Sequence, residues 1–462
     1  MDNDVSADYK LKLKRAAVDV KRLDDGTLIL RSPYAAETPV SNPNVWLRKW
    51  AGETPAQVFV AERDSGGDWR QLTYGEALKT AETIASKLVK MGLSQARPLA
   101  ILAVNGIDHA LMRLAAMLAG IPVLGIDPLA SEAGNSAQFL TEVLELIQPG
   151  MLYADDCVRH GAALAMAQKT GCEILWSLGP ESAAPGFAKF AKRGMFSGGF
   201  KGPEPDGAAT ATIGLTRGED GVLRAVYASF ADLCREQAAI AAIAPHLDIE
   251  HPVIVDAGAW HRREAGNLIF FTALRRGGTI CVDEFLAYDP NKGAALPAPT
   301  VHFADAKNLY AVLAHFELDN PACRLFFQKL NAIWIYGGTL PEAIAEKLMR
   351  MSVKEAGYKL AIFNGCQGEN SMVTGLACWF ETESDQNIGL PLPGRFLRLA
   401  PIDRVSDGEA ETYQLHIMPF FDENDPPDPD DAENYFDAYV RVQLIDPMRP
   451  YLGIERVPDE TQ

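Results

Sequence analysis

The side chains able to grip a metal ion or act as sulfur nucleophiles are poorly spaced for either task. Cys157, Cys172, Cys234, Cys281, Cys323, Cys366 and Cys378 are odd in number, scattered, and form no C-x-x-C pair, and the eight histidines include no H-E-x-x-H string. A structural zinc needs ligands in short paired spacings, and a disulfide framework needs a dense, even set. Buried free thiols in a reducing cytoplasm are therefore expected. Acids outnumber bases, 61 to 43 over 462 residues, for a net charge of −18. That balance disfavours nucleic acid and anionic membrane, both of which select positive surface. Between Asp422 and Asp437 stand eight acids and no base.

Any site must be held by the surrounding elements. The charged start carries no secretory apolar run, and the longest apolar stretches, Ala110–Ile126 and Leu268–Leu274, are broken by Arg113 or too short to cross a bilayer. From Trp69 onward strand and helix alternate. Thr73 and Glu76 form a T-x-x-E capping box, Ala77, Ala81, Ile84, Ala85 and Leu88 follow at helical spacing, and Gly92 ends the run. Short apolar strands at Leu99–Val104, Ile121–Ile126, Met151–Ala154 and Glu173–Trp176 are separated by helices. After a Gly/Pro-rich connector at 177–208 the alternation resumes, with Ser229 and Asp232 capping a helix and strands at Val253–Asp256, Thr279–Val282, Ala332–Tyr336 and Tyr358–Phe363. Buried strands between amphipathic helices predict parallel sheets covered on both faces. Past Arg395 the pattern turns to β alone. The expectation is an α/β protein of three parts: 1–205, 206–395, and a β subdomain over 396–462, with a ligand cleft at the carboxyl ends of strands where the α/β blocks meet.

Five strings carry more specific information: LTYGEAL (72–78), AGIPVLGIDP (119–128), RRGGTICVDE (275–284), YGGTLPE (336–342) and GLPLPG (389–394). In this order and spacing the chain resembles the large domain of the AMP-forming acyl-CoA synthetases, the adenylate-forming superfamily. DDGTLILRSPY (24–34), VFVAERDSGGDWRQLTY (58–74) and LIDPMRPYLGIERV (444–457) resemble its feruloyl-CoA synthetase branch. The resemblance implies activation of a small carboxylic acid, aromatic in the feruloyl branch, by ATP as an acyl-adenylate, magnesium to hold the phosphates, and usually transfer to coenzyme A.

It also implies site residues. Where the family has a T-S-G-S-T-G phosphate loop, this chain reads TIGLTRGEDGVLRAV (212–226). Thr212, Gly214, Thr216 and Gly221 keep four positions and Arg224 replaces a lysine. The two serines have become Ile213 and Leu215, and about four residues are inserted. The segment is expected to be a loop between a strand and a helix. Gly337, Gly338 and Thr339 match the adenine-side turn. GCQGE (365–369) matches a Y-G-x-T-E string, so Glu369 is the candidate magnesium ligand, while Gly365 stands where an aromatic ring is expected. Phe363 is weighed as a substitute ring and as core. Asp437 matches a ribose-binding aspartate, His261 the acyl-pocket lining, and Arg456 a hinge arginine. In the family a mobile lid of roughly 100 residues follows that hinge and brings a catalytic lysine and the coenzyme A surface. Gln462 follows closely, so the lid is expected to be missing or to come from a partner chain. Two functions stand open: an adenylating ligase, and a non-catalytic relative that only binds.

Overall fold

The computed structural model describes residues 14–64, 66–131, 136–179, 186–192, 199–217, 221–244, 249–256, 258–261, 263–282, 298–318, 320–336, 340–367, 373–378, 386–403, 412–421, 424–450 and 453–457. Its strands are β1 (Asp19–Arg22), β2 (Leu28–Arg31), β3 (Val58–Arg63), β4 (Trp69–Thr73), β5 (Leu99–Leu102), β6 (Val123–Ile126) and β7 (Met151–Asp156). There follow β8 (Glu173–Leu178), β9 (Thr210–Arg217), β10 (Leu223–Ser229), β11 (Val253–Asp256), β12 (Thr279–Val282), β13 (Val301–Ala304) and β14 (Ala332–Ile335). The last are β15 (Ala361–Gln367), β16 (Val373–Cys378), β17 (Asn387–Pro391), β18 (Phe396–Asp403), β19 (Thr412–Ile417), β20 (Phe436–Leu444) and β21 (Ile454–Arg456). The helices are α1 (Asn44–Glu53), α2 (Tyr74–Lys90), α3 (Ile107–Ala119), α4 (Ser136–Ile147), α5 (Gly161–Lys169) and α6 (Phe187–Ala191). They continue as α7 (Phe230–Ile243), α8 (Arg263–Arg276), α9 (Ala306–Leu318), α10 (Asn320–Lys329) and α11 (Glu342–Ala356). The α/β expectation holds: there are two sheets with parallel strands, and one of them continues into an antiparallel part.

The chain divides into two compact units, one of Met1–Pro39, Arg235–Gly258 and Asp283–Gln462, the other of Val40–Cys234 and Ala259–Val282. The second contains a six-stranded sheet in the order β10–β9–β6–β5–β7–β8. Its pairs are parallel except β9–β10. Leu140, Val143 and Leu144 of α4 and Leu164 of α5 pack on Leu102, Leu124, Leu152 and Trp176 of this sheet. α3 is buried on nearly every side, as a helix apolar all round must be. The capping box of α2 is present: the Thr73 backbone N–H donates to Glu76 (3.0 Å) and the Glu76 N–H to the Thr73 hydroxyl (3.3 Å). Thr73→Ala is expected to cost about 1 kcal/mol, read as a lower urea midpoint at unchanged slope.

The first unit runs β1–β2–β18–β19–β20–β21–β17–β16–β15–β14–β13–β11. β11, β13, β14 and β15 are parallel and the remaining pairs antiparallel. Phe303, Trp334 and Phe363 stand in register on β13, β14 and β15, with rings stacked at 5.7 and 5.8 Å. Of the two readings of Phe363, core is the one observed. β1 and β2, which the sequence pattern did not expose, join the antiparallel part through β18. Five described cysteines, Cys157, Cys172, Cys234, Cys281 and Cys323, are free thiols. Among the described residues no helix is long and apolar enough to cross a membrane.

Candidate functional site

The segment expected to be a phosphate loop is mostly a paired hairpin. β9 and β10 run in register from Arg217↔Leu223 to Thr212↔Ala228, with 218–220 outside the described residues. The resemblance implies a loop here, but the apolar residues recur with period two, which favours strand. Ile213 and Leu215 of β9, with Leu223 and Ala225 of β10, pack into the apolar cluster beneath α4 and α5. The retained Thr212, Gly214 and Thr216 alternate with them, and Arg224 stands opposite Thr216. Ile213 and Leu215, expected to stand at serine positions, are core contacts. Gly221, at φ +72°, sits in a left-handed backbone region that suits glycine. Arg217 gives Nη2 to Glu142 (2.7 Å) and Nη1 to the Gly221 carbonyl (2.5 Å). Exposed Arg224 donates to the Val222 carbonyl (3.3 Å).

A buried polar chain fixes the base of the hairpin. Thr212, 7% exposed, accepts a hydrogen bond at Oγ1 from the Asn267 amide (3.3 Å). Asn267 Oδ1 accepts from Arg113 Nη2, while Arg113 Nη1 donates to the Gly266 carbonyl (3.1 Å). The guanidinium also lies 4.7 Å from the Phe270 ring centroid and 5.4 Å from that of Phe271. Burial pushes Arg113 down to about 9, yet amide and carbonyl acceptors and two ring faces keep the ion satisfied. The signal for it in the sequence was a lone arginine inside the apolar run of α3.

His261 is held in the same unit by a backbone clamp. A β-carbon on Gly125 would lie 2.6 Å from His261 Cα, and one on Gly266 would lie 2.5 Å from the Trp260 carbonyl oxygen. The Trp260 N–H donates to Asn105 Oδ1 (2.9 Å), and its ring meets those of His109 and Phe270 edge-on at 5.2 and 5.7 Å. His109 donates from Nδ1 to the Val104 carbonyl (3.2 Å), and burial pushes its imidazole down to about 3. The His261 ring, 17% exposed, stands 3.7 Å from Asp127. This unit therefore gathers Thr212, Gly214 and His261 around β6, β9 and the start of α8. Gly125, Arg113, Asn105 and Asn267 were not identified from sequence, because what marks them is a contact with a remote segment.

In the first unit the candidates are spread along one sheet. Asp437 lies on β20, half-buried, and accepts at Oδ1 from the Gln414 amide (2.6 Å). Arg398, His416 and Asp437 stand opposite one another across β18, β19 and β20. Burial lowers the pKa of His416, with Asp437 opposing and Arg398 reinforcing that shift. Gly365 is on β15, in the β15–β16 pair, and Arg456 is opposite Val442 on β21. Three strands separate β15 from β20, so Gly365 and Asp437 are not brought together by pairing. Gly337, Gly338, Thr339 and Glu369 lie outside the described residues.

The profile of the AMP-binding enzymes matches residues 47–408. The chain belongs to the AMP-binding enzyme family. No curated protein matches it. Solved structures with the same fold include a long-chain-fatty-acid–CoA ligase from Archaeoglobus fulgidus, 13% identical with TM-score 0.69, covering 95% of this chain and 88% of that one. The inhibitor-bound N-terminal domain of FACL13 from Mycobacterium tuberculosis is 14% identical, TM-score 0.67, covering 91% and 100%. ATP-bound MatB from Rhodopseudomonas palustris is 15% identical, TM-score 0.65, covering 90% and 78%. Identities this low speak for the fold.

Proposed function

We propose that this AMP-binding family protein binds a small carboxylic acid, aromatic as in the feruloyl-CoA synthetase-like branch, and an adenine nucleotide, and forms acyl-adenylate or thioester weakly or not at all. One observation carries this reading: the β9–β10 hairpin. A phosphate cradle needs unpaired N–H groups and hydroxyls converging on an anion. Here Thr212 and Ile213 pair with β6 on one side and β10 on the other. Thr212 Oγ1 is bonded to Asn267, Ile213 and Leu215 replace hydroxyls, and Glu142 engages Arg217.

The first unit, taken by itself, offers Asp437, which would accept from ribose hydroxyls, and the second offers Arg224, whose exposed guanidinium suits phosphate. Gly337, Gly338 and Thr339 would serve adenine and Glu369 a magnesium ion. Bound magnesium would offset phosphate charge. His261 and the clamp around it would line the acid. No described residue is assigned to coenzyme A. The ATP carried by the MatB structure is a property of that protein and is extended here as part of the proposal.

Calorimetry with AMP and with ferulate-like acids, alongside ATP–pyrophosphate exchange over an acid panel, tests this. Binding of both ligands is expected, with Asp437→Ala weakening AMP at least about tenfold and exchange staying at background. Exchange at about 1 s⁻¹ or faster, the range of ordinary enzymes, would overturn the weak-turnover reading and establish an active adenylating enzyme. Failure to bind AMP at millimolar concentration would remove the nucleotide.

A further inference from the structure

The first unit holds a cavity that none of the residues assigned above lines. β2 and β18 stay paired as far as Arg31↔Phe396 and then part, so residues 32–35 leave on one side and Gly394 and Arg395 on the other. Phe421 and Pro426 close the space, which measures about 210 Å³. Gly394, at φ +71°, turns the chain so that its carbonyl accepts from the Phe421 N–H (3.1 Å). That turn stacks Phe421 on Phe396, ring centres 5.0 Å apart at 23°. The cavity thus has one flat aromatic wall.

Its lining also has polar and basic members. Ser32 Oγ accepts from the Tyr34 N–H (3.2 Å), which leaves the hydroxyl proton to donate. Arg31 spends Nε on Asp19 (3.0 Å), which leaves both Nη groups for an anion, although Asp19 offsets part of the charge. Arg395 lies over the Phe420 ring at 3.9 Å and is the second arginine of the lining. The ten lining residues include no acid, in a chain of 61 acids and 43 bases. We infer that this cavity binds a small aromatic carboxylate, its ring against Phe421 and its carboxylate on the Ser32 hydroxyl and Arg31. Guanidinium and hydroxyl together match carboxylate, and an offset stack suits a single ring. The volume is below the roughly 300–1,000 Å³ of drug-sized pockets, which favours one ring over a nucleotide. Seven of the ten lining residues fall outside the family-matched 47–408, and the proposal does not depend on the adenylation reading.

The test is titration of the full chain with para-fluorobenzoate, followed by fluorine NMR. Saturable binding is expected, weakened at least about tenfold both by Ser32→Ala combined with Arg31→Gln and, separately, by Phe421→Ala. Urea midpoints should stay near wild type for the first pair, whose side chains are exposed or half-buried. His261→Ala should leave this binding unchanged, which separates it from an acid held at the candidate site. Uncharged para-fluorobenzyl alcohol should bind at least about tenfold more weakly. The inference is overturned by absent binding, by unchanged affinity in the double variant, or by inorganic phosphate competing as well as the aromatic acid does.

Discussion

Gly125→Ala is expected to destabilise the protein by about 2–3 kcal/mol and to displace His261. The added methyl would lie 2.6 Å from His261 Cα and 2.7 Å from its carbonyl oxygen, both backbone atoms that cannot rotate aside. Gly266→Ala attacks the same segment from the other side, 2.5 Å from the Trp260 carbonyl oxygen. That residue is inside α8, where alanine alone would gain roughly 1 kcal/mol. The contact should outweigh the gain and leave a net loss. Urea unfolding gives the energies, and the His109 and Trp260 ring resonances, which depend on their edge-on contact at 5.2 Å, report the movement. Wild-type stability with unshifted rings in Gly125→Ala would show that the clamp does not set the position of His261.

What could be read from the sequence was what local chemistry specifies. The Thr73–Glu76 box, the Ser229–Asp232 cap and the strands expected at Leu99–Val104 and Met151–Ala154 follow from neighbours in the chain; the structure contains both caps and places the strands at Leu99–Leu102 and Met151–Asp156. The five ordered strings pointed to the family that the 47–408 match establishes. The resemblance implies a loop at 212–226, whereas its conformation is decided by β6 and by the packing of Ile213 and Leu215. β1 and β2 were not legible because β1 pairs only with β2, and the other partner of β2, β18, is more than 360 residues later in the chain. Site partners such as Asn267 for Thr212 and Gln414 for Asp437 are cross-element contacts that spacing does not encode. Restoring serine at 213 or 215 would remove core contacts as well as add a hydroxyl, so motif repair alone should not restore a phosphate loop.

Mild acid should destabilise the fold through its buried histidines, and His302→Phe should remove one histidine's share of that effect. His302, on β13, is 1% exposed, packs edge-on against Phe326 at 5.3 Å, and among the described residues neither ring nitrogen has a hydrogen-bond partner. Burial pushes it down to about 4, with the Val255 carbonyl opposing weakly from outside hydrogen-bonding geometry. His109 is pushed down to about 3. In the unfolded chain both titrate near 6.5. Between those values the unfolded state takes up protons that the native state refuses, so stability is full above about pH 7 and falls as pH drops through 6.5. From pH 7 to pH 5 each histidine should remove about 2 kcal/mol. Carboxylates whose pKa is lowered, such as Glu76 and Asp155, stay ionised across that window. Glu62, raised chiefly by burial, works in the opposite sense. Phenylalanine nearly matches the imidazole in shape, carries no proton and leaves no unmet polar atom. Urea unfolding of His302→Phe at the two pH values should therefore show a loss smaller by about 2 kcal/mol than wild type. An equal loss in both proteins would mean that His302 finds a proton acceptor in the native state, and that the acid response arises elsewhere.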